Sequence, residues 1–297
     1  MAEIIYLNGQ LVPRSKAKLS PFDHGFLYAY GLFETMRAYD GHIFRLDRHL
    51  ARLRRATQSL GLATRLAAFD LESACTETLE ANNLKDARLR LTITAGEGDM
   101  TPDPGTCSSP TVLLTAQNLV PLPHEKYESG FKAALSTLRR NSQSPLSRLK
   151  STCYMENIFA RMQARADGCD EAILLNERGY LAEGSTANIF LVSKGELITP
   201  SLESGVLPGI TREAVLEIAR ALNIKTAERE VKLKELTTAE EAFITNSILE
   251  LMPLTWFDGK PIGSGKASQL SKYMMAAYRE LLHKAVIGST IAARGID

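Results

Sequence analysis

In "GLFETMRAYDGHIFRL" the pair Asp40-Gly41 separates two β-rich runs, and few sequence features restrict a chain more tightly. A two-residue type I′ turn needs positive φ at both central positions, which Asp-Gly tolerates, and its twist matches that of the strands it joins. An antiparallel hairpin is therefore predicted across residues 31–46. "EIIYLNGQLVP" repeats the logic at Asn8-Gly9. "DRHLARLRRATQSLGL" then changes period: Leu50, Leu53, Ala56 and Leu60 recur at helical spacing and the run stops at Gly61. "FDLESACTETLEANNL" reads as a second helix, and "ARLRLTITAG" and "PTVLLTAQ" as further strands.

The segment "QNLVPLPHEKYESG" carries prolines, mixed polarity and no periodicity, the marks of a linker. Beyond it, "MENIFARMQARADG" is helical, and "EAILLN", "NIFLVSKGELITP" and "EEAFITNS" are short apolar strands. "TREAVLEIARALN" is amphipathic, with Val215, Ile218, Ala219 and Leu222 on one face. The expected division is a small α+β domain at 1–117, a linker at 118–126 and a larger domain at 127–297. The chain's 297 residues suffice for two such lobes.

Composition narrows the partners. With 35 Lys and Arg against 34 Asp and Glu, the formal net charge is +1, so there is no basic surface to hold a phosphate backbone. Nucleic acid is not an expected partner. The N-terminal stretch alternates instead of forming an apolar core, and no run approaches the ~20 apolar residues of a membrane span. A soluble, cytoplasmic protein is expected. Cys75, Cys107, Cys153 and Cys169 are scattered without metal spacing, which predicts reduced structural thiols and no metal site.

Two phosphate-loop look-alikes fail on inspection. "GKPIGSGKAS" lacks the first glycine of a P-loop and puts Ala267 where a hydroxyl must hold magnesium, and "AGEGDM" lacks the third glycine of a dinucleotide fingerprint. The five histidines show no paired spacing, and no G-x-S-x-G elbow is present.

The chemistry concentrates elsewhere, in "SRLKSTCY", "YLAEGSTANIFLV" and "GVLPGITREAV". Glu183 precedes a Gly-Ser-Thr turn at a strand's mouth. Gly209-Ile210-Thr211 opens a helix, whose free amides and positive dipole end make an anion site that a phosphate would fit. Taken alone, Lys150 reads as a surface charge and Thr211 as a cap. Arg148 reads as a surface or linker residue.

In order and spacing, "GLFETMRAYDGHIFRLDRHLARL", Lys150, "EGSTANIFLVSKGELITP", "LPGITREAVLEIA" and "FITNSILELMPL" resemble the fold-type IV pyridoxal-phosphate family. That family includes branched-chain and D-amino acid aminotransferases, R-selective amine transaminases and aminodeoxychorismate lyases. The resemblance implies a small N-terminal α/β lobe, a larger C-terminal lobe around a β-barrel-like core, a homodimer, and pyridoxal 5′-phosphate as cofactor. It implies that Lys150 forms the covalent bond to the cofactor aldehyde and later shuttles the proton. Glu183 matches the carboxylate that keeps the pyridine nitrogen protonated. Arg52 matches the phosphate arginine, the Ile210 and Thr211 amides its helix-terminus cradle, and Ser247 a further phosphate-side hydroxyl. Tyr154 and Asn188 match neighbours of the cofactor hydroxyl and ring, although Tyr154 also reads as helix packing, one residue nearer the lysine than in branched-chain enzymes, and Asn188 as a turn residue.

On the substrate side, Arg90 and Arg37 are candidates for the carboxylate cation, each equally readable as solvent-facing. Tyr28 matches a pocket tyrosine, and Thr35 the hydroxyl that would protonate a lyase product. The loop "GEGDMTPDPGTCSSP" departs from the family, lacking both the arginine-plus-histidine trap of D-amino acid aminotransferases and the second basic residue of the lyases. The expected reaction moves an amino group between an amino acid or primary amine, preferably apolar, and a 2-oxo acid. The alternative is a 4-amino-4-deoxychorismate lyase releasing pyruvate and 4-aminobenzoate.

Overall fold

The computed structural model describes residues 3–293, with side chains through residue 288. Contacts group the described residues into two units: residues 3–120 with Leu149–Cys153 and residues 284–293, and Pro121–Arg148 with Tyr154–His283. The segment Leu149–Cys153, expected within the domain at 127–297, groups with the first unit. Backbone pairing is the reason: Phe33 N donates to Lys150 O at 2.8 Å, and Thr152 N donates to Gly31 O at 2.9 Å.

The first unit is built on a six-stranded sheet in the order Gln10–Pro13, Ile4–Leu7, Thr111–Asn118, Ala87–Thr94, Gly31–Tyr39, His42–Ile43. Every pairing in it is antiparallel. Both hairpin turns take the expected backbone, with φ of 49° and 93° at Asn8 and Gly9 and 45° and 83° at Asp40 and Gly41. Alternation along Gly31–Tyr39 sends Leu32 and Met36 into a core with Leu89, Leu91 and Ile93. The helices Leu46–Ser59 and Leu71–Ala81 pack onto that core through Leu50, Leu53 and Ala56 and through Leu71, Ala74, Cys75 and Leu79. Phe33, Thr35 and Arg37 necessarily take the other face.

The second unit holds a nine-stranded mixed sheet. Its path runs Thr226–Arg229, Glu196–Pro200, Asn188–Ser193, Glu241–Asn246, Glu250–Phe257, Phe131–Arg140, Glu171–Asn176, Leu181–Gly184, with Lys260–Pro261 paired to Glu250–Phe257. Leu181–Gly184, last on the path, comes back against Asn188–Ser193 near its other end, so the sheet curls into a half-barrel. The expected barrel-like core takes this form. Ile173, Leu181, Ile189, Leu191, Ile244, Met252 and Leu254 fill it. On the opposite face of Asn188–Ser193 and Glu241–Asn246, Phe190 stacks on Phe243 with ring centroids 5.0 Å apart. The helix Ile210–Ala221 packs against Glu241–Asn246 and buries Ala214, Val215, Ile218 and Ala219. Among the described residues no helix is long and apolar enough to cross a membrane.

Candidate active site

Lys150 is pinned by its backbone. Besides the two bonds to the strand Gly31–Tyr39, Thr152 Oγ1 donates to Ala29 O at 2.7 Å, which fixes the segment on both sides of the lysine. Its Nζ lies 4.5 Å from the centroid of the Phe33 ring, and the Arg90 guanidinium carbon lies 3.9 Å from the same centroid. Two cations and one phenyl ring thus meet in the first unit, with Nζ and the guanidinium no more than roughly 8 Å apart. Arg90 Nε also donates to Thr92 Oγ1 at 3.2 Å. Thr35 is the direct cross-strand partner of Arg90, so its hydroxyl shares their face. Arg37 pairs in register with Arg88 and stacks 4.5 Å over Tyr39, one alternation further along. Tyr28 ends a short helix whose N-terminus is capped by Asp23, and its hydroxyl donates to Met100 O.

Arg52 reaches the opposite, helix-covered face. Its Nε and Nη2 donate to Glu34 Oε1 and Oε2 at 2.8 and 2.5 Å, and His49 Nδ1 donates to Glu34 Oε2 at 2.7 Å. All three side chains are buried. Burial alone would raise the Glu34 pKa, but the Arg52 charge and the His49 hydrogen bond outweigh it and hold the carboxyl at about 2. His49 moves the other way. Burial pushes it below the ordinary imidazole value, and the Arg52 and Lys150 charges add to this, against the pull of Glu34. It is therefore a neutral Nδ1–H imidazole, hydrogen-bonded to Glu34 rather than ion-paired with it.

In the second unit, Glu183 is the penultimate residue of the strand Leu181–Gly184 and is 5% exposed. Its Oε1 accepts from Arg140 Nη2 at 2.9 Å and its Oε2 from Leu207 N at 3.0 Å. Asn188 Nδ2 donates to Leu207 O at 2.8 Å, which ties the 205–209 loop to the sheet. Only glycine fits at 209, where an added Cβ would stand 1.9 Å from Asn188 Oδ1. The helix Ile210–Ala221 begins there with no side-chain cap, and Ile210 and Thr211 are buried. Thr245, in register with Asn188, has a buried Oγ1 with no hydrogen-bond partner among the described residues.

Tyr154 Oη donates to Ser185 O at 3.3 Å, and burial, with Glu183 and Glu171 nearby, pushes its pKa up to about 12. Ser247 lies half-buried in the turn after Asn246, whose Oδ1 accepts from Ile248 N and Leu249 N. Arg148 is exposed.

These donors fit the cofactor that the sequence implied. A buried carboxylate held by a guanidinium suits a pyridinium nitrogen. Uncapped helix amides and an orphaned buried hydroxyl suit a phosphate. A backbone-pinned lysine suits an aldehyde. Sequence reading passed over Arg140, Phe33, Glu34 and His49. For Glu34 and His49 a signal existed: a carboxylate at a core-facing position of a strand, with His49 and Arg52 three apart on the following helix.

The amino-transferase class IV family model matches residues 31–256. A Methanocaldococcus jannaschii relative, under a provisional branched-chain-amino-acid aminotransferase name, is 38% identical over 281 residues, spanning 94% of this chain and 96% of its own. The aminodeoxychorismate lyase of Bacillus subtilis strain 168 is 36% identical over 296 residues, spanning 98% and 97%. The crystal structure of the branched-chain amino acid aminotransferase of Escherichia coli superposes with a TM-score of 0.89 at 29% identity, over 95% of both chains. With a family model covering most of its length, and with near-full-length relatives and a solved structure of the same architecture, the chain belongs to the amino-transferase class IV family and is an aminotransferase of fold type IV.

Proposed function

We propose that this aminotransferase moves the amino group of a branched-chain amino acid to a 2-oxo acid, with pyridoxal 5′-phosphate as cofactor. The observation that carries the substrate class is the meeting of Lys150 Nζ and Arg90 on the Phe33 ring. A guanidinium for the α-carboxylate, a phenyl wall for an apolar side chain and an amine to move the proton are the three things such a donor requires. Arg37 and Tyr28 would line the approach.

When bound, the cofactor supplies an electron sink that acidifies the donor's α-carbon. Lys150 Nζ would take the proton from that carbon and deliver it to the carbon that had been the cofactor's aldehyde, so that the donor leaves as a 2-oxo acid and its nitrogen stays behind. Glu183, paired with Arg140 and accepting from the Leu207 amide, would hold a proton on the pyridine nitrogen. Arg52, the Ile210 and Thr211 amides and the Ser247 hydroxyl bind the phosphate. Tyr154 and Asn188 would orient the ring, Tyr154 through a hydroxyl that stays protonated at working pH.

Borohydride reduction of the yellow enzyme should trap a cofactor adduct on Lys150, and L-leucine should bleach the enzyme to its pyridoxamine form. Lys150→Ala should lose the adduct and at least about 10²-fold in turnover. A Lys150→Ala variant that keeps wild-type turnover would sink the assignment.

A second reading has its own support: the lyase relative, and a Thr35 hydroxyl opposite Arg90, where it could protonate a departing product. Pyruvate release from aminodeoxychorismate without bleaching by leucine would establish it.

A homodimer is also proposed. Met155, Ile158, Phe159 and Met162 form an exposed apolar stripe at i, i+3, i+4, i+7 spacing on the helix Met155–Ala166. Two copies meeting on this stripe would bury it, and sedimentation at the monomer mass would refute the pairing. The free, buried thiols of Cys75 and Cys107 accord with a cytoplasmic setting.

A further inference from the structure

The Glu34–His49 pair serves no purpose in the reaction as described, yet it is buried and polar, and both Glu34 oxygens are hydrogen-bonded. A carboxylate at a core-facing strand position costs desolvation, and an apolar residue of similar size would fill the space at lower cost. What Glu34 does provide is geometry. By taking Arg52 Nε on one oxygen and Nη2 on the other, it fixes the guanidinium plane side-on, so that the Nη1 edge of the fork points away from Glu34. His49 Nδ1, donating to the oxygen that also takes Nη2, stops the carboxylate from rotating. The i, i+3 placement of His49 and Arg52 on the helix Leu46–Ser59 brings both side chains to the same carboxylate.

We propose that Glu34 and His49 are positioning residues that hold Arg52 pre-aimed at the cofactor phosphate, so that the enzyme's preference for a phosphorylated cofactor over the unphosphorylated aldehyde depends on this buried pair. The proposal rests on the assignment of Arg52 to the phosphate. It concerns this chain's own contacts: Glu34 and His49 act through Arg52. An unaimed arginine would have to be ordered when the phosphate binds. A pre-aimed one has met that entropy cost during folding.

The test compares binding of pyridoxal 5′-phosphate and of pyridoxal, which has the aldehyde and ring but no phosphate, by the absorbance of the lysine adduct in the full-length enzyme. Glu34→Gln sets an amide donor against Nη2 and Nδ1. It should weaken the phosphorylated cofactor by about tenfold or more and leave pyridoxal within about twofold of wild type. His49→Leu should shift the ratio in the same direction, whereas His49→Asn, whose amide can donate from the Nδ1 position, should restore it. In an Arg52→Gln background, Glu34→Gln should cost no further selectivity.

Equal weakening of both ligands by Glu34→Gln and His49→Leu, or an unchanged ratio in either, would overturn the proposal, since a purely structural role treats the two alike. Should Glu34→Gln not fold, His49→Leu against His49→Asn decides alone. If Arg52→Gln itself keeps the wild-type ratio, the assignment of Arg52 to the phosphate is what has failed, and this result is separate from the others.

Discussion

The two units handle buried charge in opposite ways. In the first, Glu34 has both oxygens occupied, by Arg52 and His49, and the cluster is closed. In the second, the Glu183–Arg140 pair lies in the unit that also leaves the helix Ile210–Ala221 uncapped and the Thr245 hydroxyl unpartnered among the described residues. Buried polar groups are nearly always satisfied, so a closed cluster serves stability and geometry, while an open one marks where a ligand completes the bonding. Loss of the first should cost more in unfolding, loss of the second more in turnover.

Glu34→Gln breaks the comparison hardest. Removing one partner strands the Arg52 charge, with a loss of about 3–5 kcal/mol in urea unfolding. Its pH dependence is also fixed in sign. The Glu34 pKa is depressed to about 2, so its stabilisation is complete above the unfolded carboxylate value and is lost as pH falls from roughly 4.3 towards 2. Glu34→Gln should flatten the acid limb in that window. His49, also depressed, withdraws stability earlier, as pH falls below about 6.5. An acid limb in Glu34→Gln as steep as in wild type would contradict the closed-cluster account.

Glu183→Gln should do the reverse. Turnover should drop on the order of 10²-fold, while the urea midpoint moves less than in Glu34→Gln. A variant that unfolds but, where folded, turns over normally would erase the distinction between the two regions.

Gly209→Ala tests how finely the open region is fitted. The added methyl would stand 1.9 Å from Asn188 Oδ1, and Asn188 cannot swing aside without giving up its bond to Leu207 O. About 1–3 kcal/mol of stability should go, with weaker cofactor retention on dialysis. Retention and midpoint both at wild-type values would show the loop to be looser than it looks.

Arg148→Ala should do almost nothing. Arg148 is exposed and its charge falls on the exposed Glu203, so a midpoint shift within about 0.5 kcal/mol is expected, and unchanged leucine turnover. A large loss in turnover would give Arg148 a role beyond the surface.

Local chemistry explains what was legible in advance. The turns at Asn8-Gly9 and Asp40-Gly41 are decided by residues that accept positive φ, and the helices Leu46–Ser59 and Ile210–Ala221 by the spacing of their apolar side chains. The strands Phe131–Arg140 and Glu250–Phe257 and the long helix Gln269–Ala293 escaped notice. Phe131–Arg140 lies between two parallel neighbours whose pairing no local pattern announces, and Pro253 masks the strand around it. The family, and with it Lys150, Glu183, Arg52 and the Gly209–Thr211 turn as site candidates, was legible because order and spacing along a chain survive in the sequence.

By itself, then, the sequence determined the hairpins, the amphipathic helices and the family. Only tertiary structure decided that Leu149–Cys153 pairs with the strand Gly31–Tyr39, that Phe33 lies beneath the lysine amine, that Arg140 holds Glu183, and that Glu34 and His49 fix Arg52. The reason is distance along the chain. Turn φ and helical period are set within a few residues, whereas Arg140 and Glu183, 43 residues apart, meet only when the curled sheet brings their strands together.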